Sequence, residues 1–335
     1  MENESLSEFL ARGGAEEIKK GGGTRRFFRA PFRGVPAVFC FYDDEKEENR
    51  YYAGIAEFLK KIGVPAPEIL RDDPAKNLIV MEDLGAADLR SLVRENSPER
   101  SRAYRSALEG AARLHRFAPE DLRAGTPIMR DGFSRAYYKW ERDYFLKNAL
   151  DDGLKIPLSA RERESLEAEL SALADFLLAL PPQLVHRDFQ SENILWKDGA
   201  ARFIDFQGMR VGTGWYDAAS LIFDPYVEIP EAERRALFAF YCGETGVPAD
   251  AAAEKNLRLA AAQRLMQALG AYFFLSEKKG KPHFRAHALP ALENLVAVSA
   301  GTLPRLHALA EKMLARERAF RKPSEFSTFN RKKKS

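Results

Sequence analysis

The chain has 335 residues, of which 45% are hydrophobic and 30% charged, and its formal net charge is +3. That length allows one large domain or two modest ones, and the composition is that of an ordinary globular protein rather than a disordered or membrane one. Its two cysteines, Cys40 and Cys242, have no C-x-x-C pair and no histidine cluster beside them, which points away from a disulfide framework or a zinc site.

The first residues, MENESLSEFLARGG, are acidic and polar where a secretory signal is basic and then apolar, and no apolar stretch reaches bilayer length. A cytoplasmic protein with no membrane association is expected. Gly21-Gly22-Gly23-Thr24 is a glycine-rich turn whose backbone can approach an anion closely, though a glycine triplet between strands also serves as an ordinary hairpin turn, and G-x-G-x-x-G is absent. The runs RRFFRAPF, PAVFCFYD and NLIVMEDL read as strands separated by Pro and Gly. A helix is predicted over about 48–62, with Tyr52, Ile55, Ala56 and Leu59 at near-helical spacing. The first 84 residues therefore read as a small sheet with one helix.

Beyond Gly85, apolar residues recur at helical period around 99–117, 131–150, 159–180, 230–246, 249–278 and 286–317. His115 falls on such a period and is expected to be a satisfied core or helix-end histidine rather than a ligand. Tyr137, Tyr138 and Trp140 share one predicted helix, where packing is the expected role and one wall of a sugar site the alternative. The exception to the helical pattern is LVHRDFQSENILWKDGAARFIDFQG, a short hairpin of strand-like LVH, ILW and ARFIDF among helices. Catalytic groups favour loops held on a rigid scaffold.

Within it, His186, Arg187, Asp188 and Asn193 reproduce H-R-D-x-x-x-x-N, the catalytic-loop spacing of kinases. An aspartate at the loop tip can accept the proton of an attacking hydroxyl, and an asparagine five residues on can reach a magnesium ion. Twelve residues after Asn193, Asp205 ends a strand where the same template requires a second metal ligand, and hard oxygen donors suit Mg²⁺. Any one of these is an ordinary turn residue by itself; all of them in register are not. Asp188 already fills the role of base, so His186 is expected to be packed and hydrogen-bonded, and Arg187 to pair with an acid. Asp217 either caps the helix AASLIF or buttresses the catalytic loop. Only nine residues separate Gln207 from Asp217 and no A-P-E follows, which leaves no activation loop and argues against a protein substrate.

HRDFQSENIL, FIDFQG and WYDAASLIFDPY together resemble the aminoglycoside phosphotransferase/choline kinase-like superfamily. The DFQ variant, SLIFDPY and QRLMQALGAYFFLSEKKGKPHF are most similar to its anomeric sugar kinases, which phosphorylate N-acetylmuramate and N-acetylglucosamine at C1. The resemblance implies an α+β, bilobal protein-kinase-like fold with a small β-rich N-lobe (1–84) and a large helical C-lobe (85–320), and the polar KPSEFSTFN followed by RKKKS reads as a basic, disordered tail (321–335). The resemblance also implies ATP and Mg²⁺, with Asp188 as base and Asn193 and Asp205 as metal ligands. Phosphate contacts are expected from Gly22, Gly23, Thr24 and Arg26. In LIVMEDLG, a hinge-like strand and turn, Met81 would line the adenine pocket while backbone groups of Glu82 and Leu84 bond the base. Asp224, Gln263 and Arg264 become candidate substrate contacts through the likeness alone.

The pattern departs at PAVFCFYD, which carries Phe39, Cys40, Phe41 and Tyr42 where a kinase strand such as V-A-I-K places its phosphate-binding lysine. The implied sugar-kinase relatives tend to lack it too, and Arg26 or Arg29 is a candidate replacement. The function expected is an ATP-dependent kinase of a sugar hydroxyl, the anomeric hydroxyl of an N-acetylated hexosamine. The alternatives are a kinase of another small alcohol such as an aminoglycoside, or a non-catalytic nucleotide-binding regulator. The partner expected is a small-molecule sugar; the RKKKS end is too short to make nucleic acid the expected one, and the oligomeric state is left open.

Overall fold

The computed structural model describes residues 9, 13–18, 24–43, 46–117 and 131–321. Gly22, Gly23 and the tail beyond Arg321 lie outside the described residues. The chain divides into two compact units, Met1–Phe133 with Leu180–Glu254, and Ser134–Ala179 with Lys255–Ser335.

The first unit opens with an antiparallel sheet of five strands: β1 (Glu16–Ile18), β2 (Arg26–Phe32), β3 (Val35–Phe41), β4 (Ile69–Asp73) and β5 (Leu78–Glu82), in the order β1-β2-β3-β5-β4. Between β2 and β3 the turn residues Arg33 and Gly34 both have positive φ, 51° and 85°, the conformation that matches a two-residue turn to the twist of its strands. Alternation then sorts the side chains. Phe28, Ala30 and Phe32 of β2 and Ala37, Phe39 and Phe41 of β3 share one buried cluster with Leu78, Val80 and Phe9. The Phe9 ring lies 4.6 Å from that of Phe39 and 5.5 Å from that of Phe41. Burying each such ring contributes about 1.5–3 kcal/mol, which makes this face the anchor of the sheet. β1 and β4 were not predicted, since neither is apolar enough to announce itself.

Helix α1 (Tyr52–Lys61) buries Tyr52, Ile55, Phe58 and Leu59 and packs beside β4. The rest of the unit comprises α2 (Leu89–Arg94), α3 (Arg100–His115), β6 (Gln183–Val185), the hairpin β7 (Ile194–Lys197) and β8 (Ala200–Phe203), β9 (Arg210–Gly212), α6 (Gly214–Ile222) and α7 (Glu231–Thr245), where β6 pairs with β9.

The second unit is helical: α4 (Arg135–Phe145), α5 (Ala160–Leu178), α8 (Ala251–Glu277), α9 (Ala288–Ser299) and α10 (Pro304–Arg321). Three expectations are corrected here. The helix predicted through 150 leaves α geometry at Phe145 and continues as a π-helix over Leu146–Leu154. The single helix predicted over 286–317 is two, because Gly301 turns into the left-handed region at φ 75° and Pro304 can begin a helix but not continue one. Trp140 is also 50% exposed, stacked on Tyr144 rather than packed in a core, whereas Tyr138 is buried. No helix among the described residues is long and apolar enough to cross a membrane.

Helix α5 begins with a reciprocal cap: Ser159 Oγ accepts from the Glu162 N–H, and the Glu162 carboxylate accepts from the Ser159 N–H at 2.9 Å. The backbone and hydroxyl of Ser159, then Lys312, hold the Glu162 pKa down at about 2, against an ordinary 4.5. A pKa depressed on folding contributes stability above the unfolded value and loses it as pH falls towards the folded one. The melting-temperature gap between wild type and Glu162→Gln should therefore be constant at neutral pH and narrow once the pH drops below 4.5.

Candidate active site

The loop between β6 and β7 carries His186-Arg187-Asp188, and its shape is set from below by one carboxylate. Asp217, fully buried in the first turn of α6, accepts the N–H of His186 at 2.6 Å through one oxygen and that of Arg187 at 2.9 Å through the other. These two bonds hold Arg187 at φ 77°, a left-handed conformation unfavourable for a long side chain. Helix α6 starts at Gly214 with Thr213 preceding it, so Asp217 is the buttress of the loop rather than its helix's N-cap.

Behind Asp217 lies a second layer. His115 Nε2 is 3.1 Å from Asp217 Oδ2, and its Nδ1 is 2.9 Å from the Tyr241 hydroxyl. A carboxylate only accepts, so Nε2 carries the proton and Nδ1 accepts from Tyr241. A Cβ on Gly214 would come within 2.7 Å of both His115 Nδ1 and the Tyr241 oxygen, which is why this position has no side chain.

Asp188 itself is anchored through its carbonyl, which accepts from Gln190 N at 3.0 Å and from Asn193 Nδ2 at 2.9 Å. Its carboxylate is 28% exposed, with Arg187 Nη1 at 3.6 Å. The donation by Asn193 spends its amide nitrogen and leaves the oxygen as the end that can meet a cation. β7 and β8 pair Ile194 with Phe203, and Ile204 N donates to Asn193 O at 3.0 Å, so Asn193 lies across from the residue preceding Asp205. His186 Nε2 lies 3.0 Å from the Ile204 carbonyl and ties the loop to the same point.

Asp205 has φ 66°, which turns its side chain out of the β8 line. Its Oδ1 accepts from Gln207 Nε2 at 3.1 Å and is paired with Arg25, which also donates to Gln207 Oε1 at 2.9 Å. Burial alone would raise the Asp205 pKa; the Arg25 charge and the hydrogen bonds from Gln207 and Arg25 outweigh it and keep the pKa below the ordinary value. The donor set suits magnesium: an amide oxygen and an ionised carboxylate, with no group of three or more His, Cys, Asp or Glu that could cage a metal among the described residues. Such a sparse set of hard oxygens matches an ion that keeps water and phosphate ligands.

The remaining candidates are placed as follows. Met81 and Leu84 are buried at the end of β5, and Glu82 N–H is taken by the Glu68 carbonyl at 2.8 Å. Lys197 of β7 bonds the Glu82 carboxylate at 2.7 Å and the Asp83 carbonyl at 2.8 Å, which fastens this turn to the catalytic hairpin. Thr24 is exposed. Arg26 pairs with Glu17 at 2.9 Å and Arg29 with Asp83 at 2.6 Å. Asp224 is buried, with Oδ2 accepting from Ser191 N at 2.7 Å and Oδ1 from Tyr226 N at 2.9 Å, so it braces the catalytic loop. Gln263 and Arg264 belong to the second unit, where Gln263 Nε2 donates to the buried Glu141 at 2.9 Å and Arg264 pairs with Gln267. Sequence reasoning passed over Arg25 and Gln207; the signal that could have found Arg25 is strand parity.

The same fold occurs in solved structures. A choline/ethanolamine kinase family protein from Mesorhizobium loti superposes with a TM-score of 0.62, covering 90% of this chain and 93% of that one at 20% identity. A thermostable mutant of aminoglycoside phosphotransferase APH(4)-Ia, in ternary complex with ADP and hygromycin B, also gives 0.62, covering 89% of this chain and 100% of that one at 16% identity. The chain is a phosphotransferase of protein-kinase-like fold that takes an alcohol group as acceptor. More particularly, it belongs to the phosphotransferase enzyme family, whose pattern matches residues 14–255. Curated relatives include the N-acetylmuramate/N-acetylglucosamine kinase of Caulobacter vibrioides, 28% identical over 259 residues (72% of this chain, 68% of that protein). The protein of the same name from Pseudomonas putida is 23% identical over 266 residues (78% of this chain, 76% of that protein).

Proposed function

We propose that the protein transfers the γ-phosphoryl group of ATP to a sugar hydroxyl, and that the acceptor is the anomeric hydroxyl of an N-acetylated hexosamine. The observation that carries the reading is the partly exposed Asp188 carboxylate on a loop clamped by Asp217, with Asn193 and Asp205 gathered beside it. Asp188 takes the proton of the attacking hydroxyl, and the bonds that Gln190 N and Asn193 Nδ2 donate to its carbonyl fix where that proton is received. Asn193 and Asp205 would hold magnesium, which would supply positive charge against the phosphates. Met81 and the backbone of Glu82 and Leu84 hold the adenine, with Thr24 near the phosphates. The acceptor is inferred from curated relatives named for N-acetylmuramate and N-acetylglucosamine. The β-rich residues 1–84 act as the small lobe over the catalytic hairpin, and the supply of ATP sets the reaction in the cytoplasm.

Incubation with Mg·ATP and a panel of N-acetylglucosamine, N-acetylmuramate, unsubstituted hexoses and an aminoglycoside, followed by phosphorus NMR, tests this. An anomeric phosphate doublet is expected with the N-acetylated sugars and not with the aminoglycoside. Transfer to the aminoglycoside alone would replace the acceptor assignment.

A further inference from the structure

In the kinase pattern a lysine on the third strand reaches the phosphates and is steadied by a glutamate of the following helix. Here β3 has no lysine, and no acidic residue lies on the buried face of α1. β3 carries the buried Cys40, and the buried face of α1 presents Tyr52, Ala53, Ile55, Ala56, Phe58 and Leu59. The neighbouring strand supplies the missing charge. β2 and β3 pair Phe27 with Cys40 and Arg26 with Phe41, so side-chain alternation sets Arg25 on the face of Cys40 and Arg26 on the face of the phenylalanine cluster. Arg26 accordingly lies over the Phe28 ring and pairs with Glu17, while Arg25 reaches Asp205 and Gln207.

Among the described residues, the carboxylate paired with Arg25 is Asp205. The Arg25 side chain is only 14% exposed, and beside Asp205 the ionisable groups acting on it are Cys40 and Tyr52. Burial raises the Cys40 thiol to about 12 and the Tyr52 phenol higher still, so both face it as neutral groups. Yet Asp205 is also the carboxylate the metal motif needs. A largely buried guanidinium cannot give up this counter-charge without another anion, and the anion that arrives with a metal–nucleotide complex is a phosphate.

We infer that Arg25 binds the ATP phosphates in place of the absent β3 lysine, and that without nucleotide it holds the Asp205 carboxylate that the metal later takes. The inference rests on the phosphotransferase reading above. It makes the loading of the site an exchange of ion pairs, Arg25–Asp205 for Arg25–phosphate.

The test uses the full chain with Arg25→Met and Arg25→Gln, the latter keeping hydrogen-bonding ability should the former not fold. Two ligands are titrated: Mn²⁺ alone, by electron paramagnetic resonance of the free ion, and AMP-PNP with Mg²⁺, by calorimetry. Removing the guanidinium should tighten Mn²⁺ alone by about 3- to 10-fold, because Asp205 loses its competitor, and weaken AMP-PNP by about 10- to 100-fold. A merely structural role would weaken both together, and that result, or unchanged AMP-PNP affinity, overturns the inference. Wild type that binds no AMP-PNP would remove the phosphotransferase reading and this inference with it. Normal wild-type binding matched by the variants removes the Arg25 assignment alone.

Discussion

Replacing Asp188 by asparagine should lower the rate of phosphoryl transfer by about 10²- to 10⁴-fold, the range general-base catalysis supplies, while AMP-PNP affinity stays within about two-fold. The contrast follows from how the residue is anchored. The loop is held through the Asp188 carbonyl, by Gln190 N and Asn193 Nδ2, and through Asp217 beneath it. Asparagine keeps the carbonyl and nearly the same shape, so the loop persists while the charge proposed to receive the proton is gone. Steady-state kinetics with the accepted sugar, beside a calorimetric titration of AMP-PNP, separates the two effects. Retention of more than about a tenth of wild-type turnover would show that another group receives the proton.

Asp217 carries the second large effect, on stability as well as rate. Its carboxylate is buried and accepts two backbone N–H groups and His115, so Asp217→Ala leaves three donors without a partner at the base of the catalytic loop. Hydrogen bonds to a charged acceptor contribute about 1.5–3 kcal/mol each, and buried donors left unmet add to the loss. Part of that is recovered by relaxation of the loop, and we expect about 3–5 kcal/mol of destabilisation in a urea melt. Arg187 would also be released from φ 77°, so turnover should fall even at temperatures where the variant is folded. Asp217→Asn, which keeps one acceptor oxygen, should fall between. A variant as stable as wild type would mean that water satisfies the loop N–H groups in place of Asp217.

These effects differ in how far they could be read beforehand. The candidate site sits in one contiguous hairpin, where local spacing alone puts two carboxylates and an amide within reach; β7 and β8 pair as their strand-like runs suggested, and Asn193 and Asp205 come together as a result. Asp217 was legible only as a choice between capping and bracing, because one acidic residue before a helix suits both. The break between α9 and α10 was masked by apolar periodicity that persists through Gly301 and Pro304. Trp140 carries an apolar signature on a face the second unit leaves exposed.

By itself the sequence determined the class of protein and pointed to the hairpin of its candidate site, since both are written in spacings of a few residues that local geometry must obey. Only the tertiary structure decided which cation stands at Asp205 and what holds the loop from behind. Arg25 is 180 residues from Asp205 and His115 is 102 from Asp217. Contacts of that kind depend on strand register and side-chain parity across the sheet, and on which helix packs behind the loop. No local pattern encodes them.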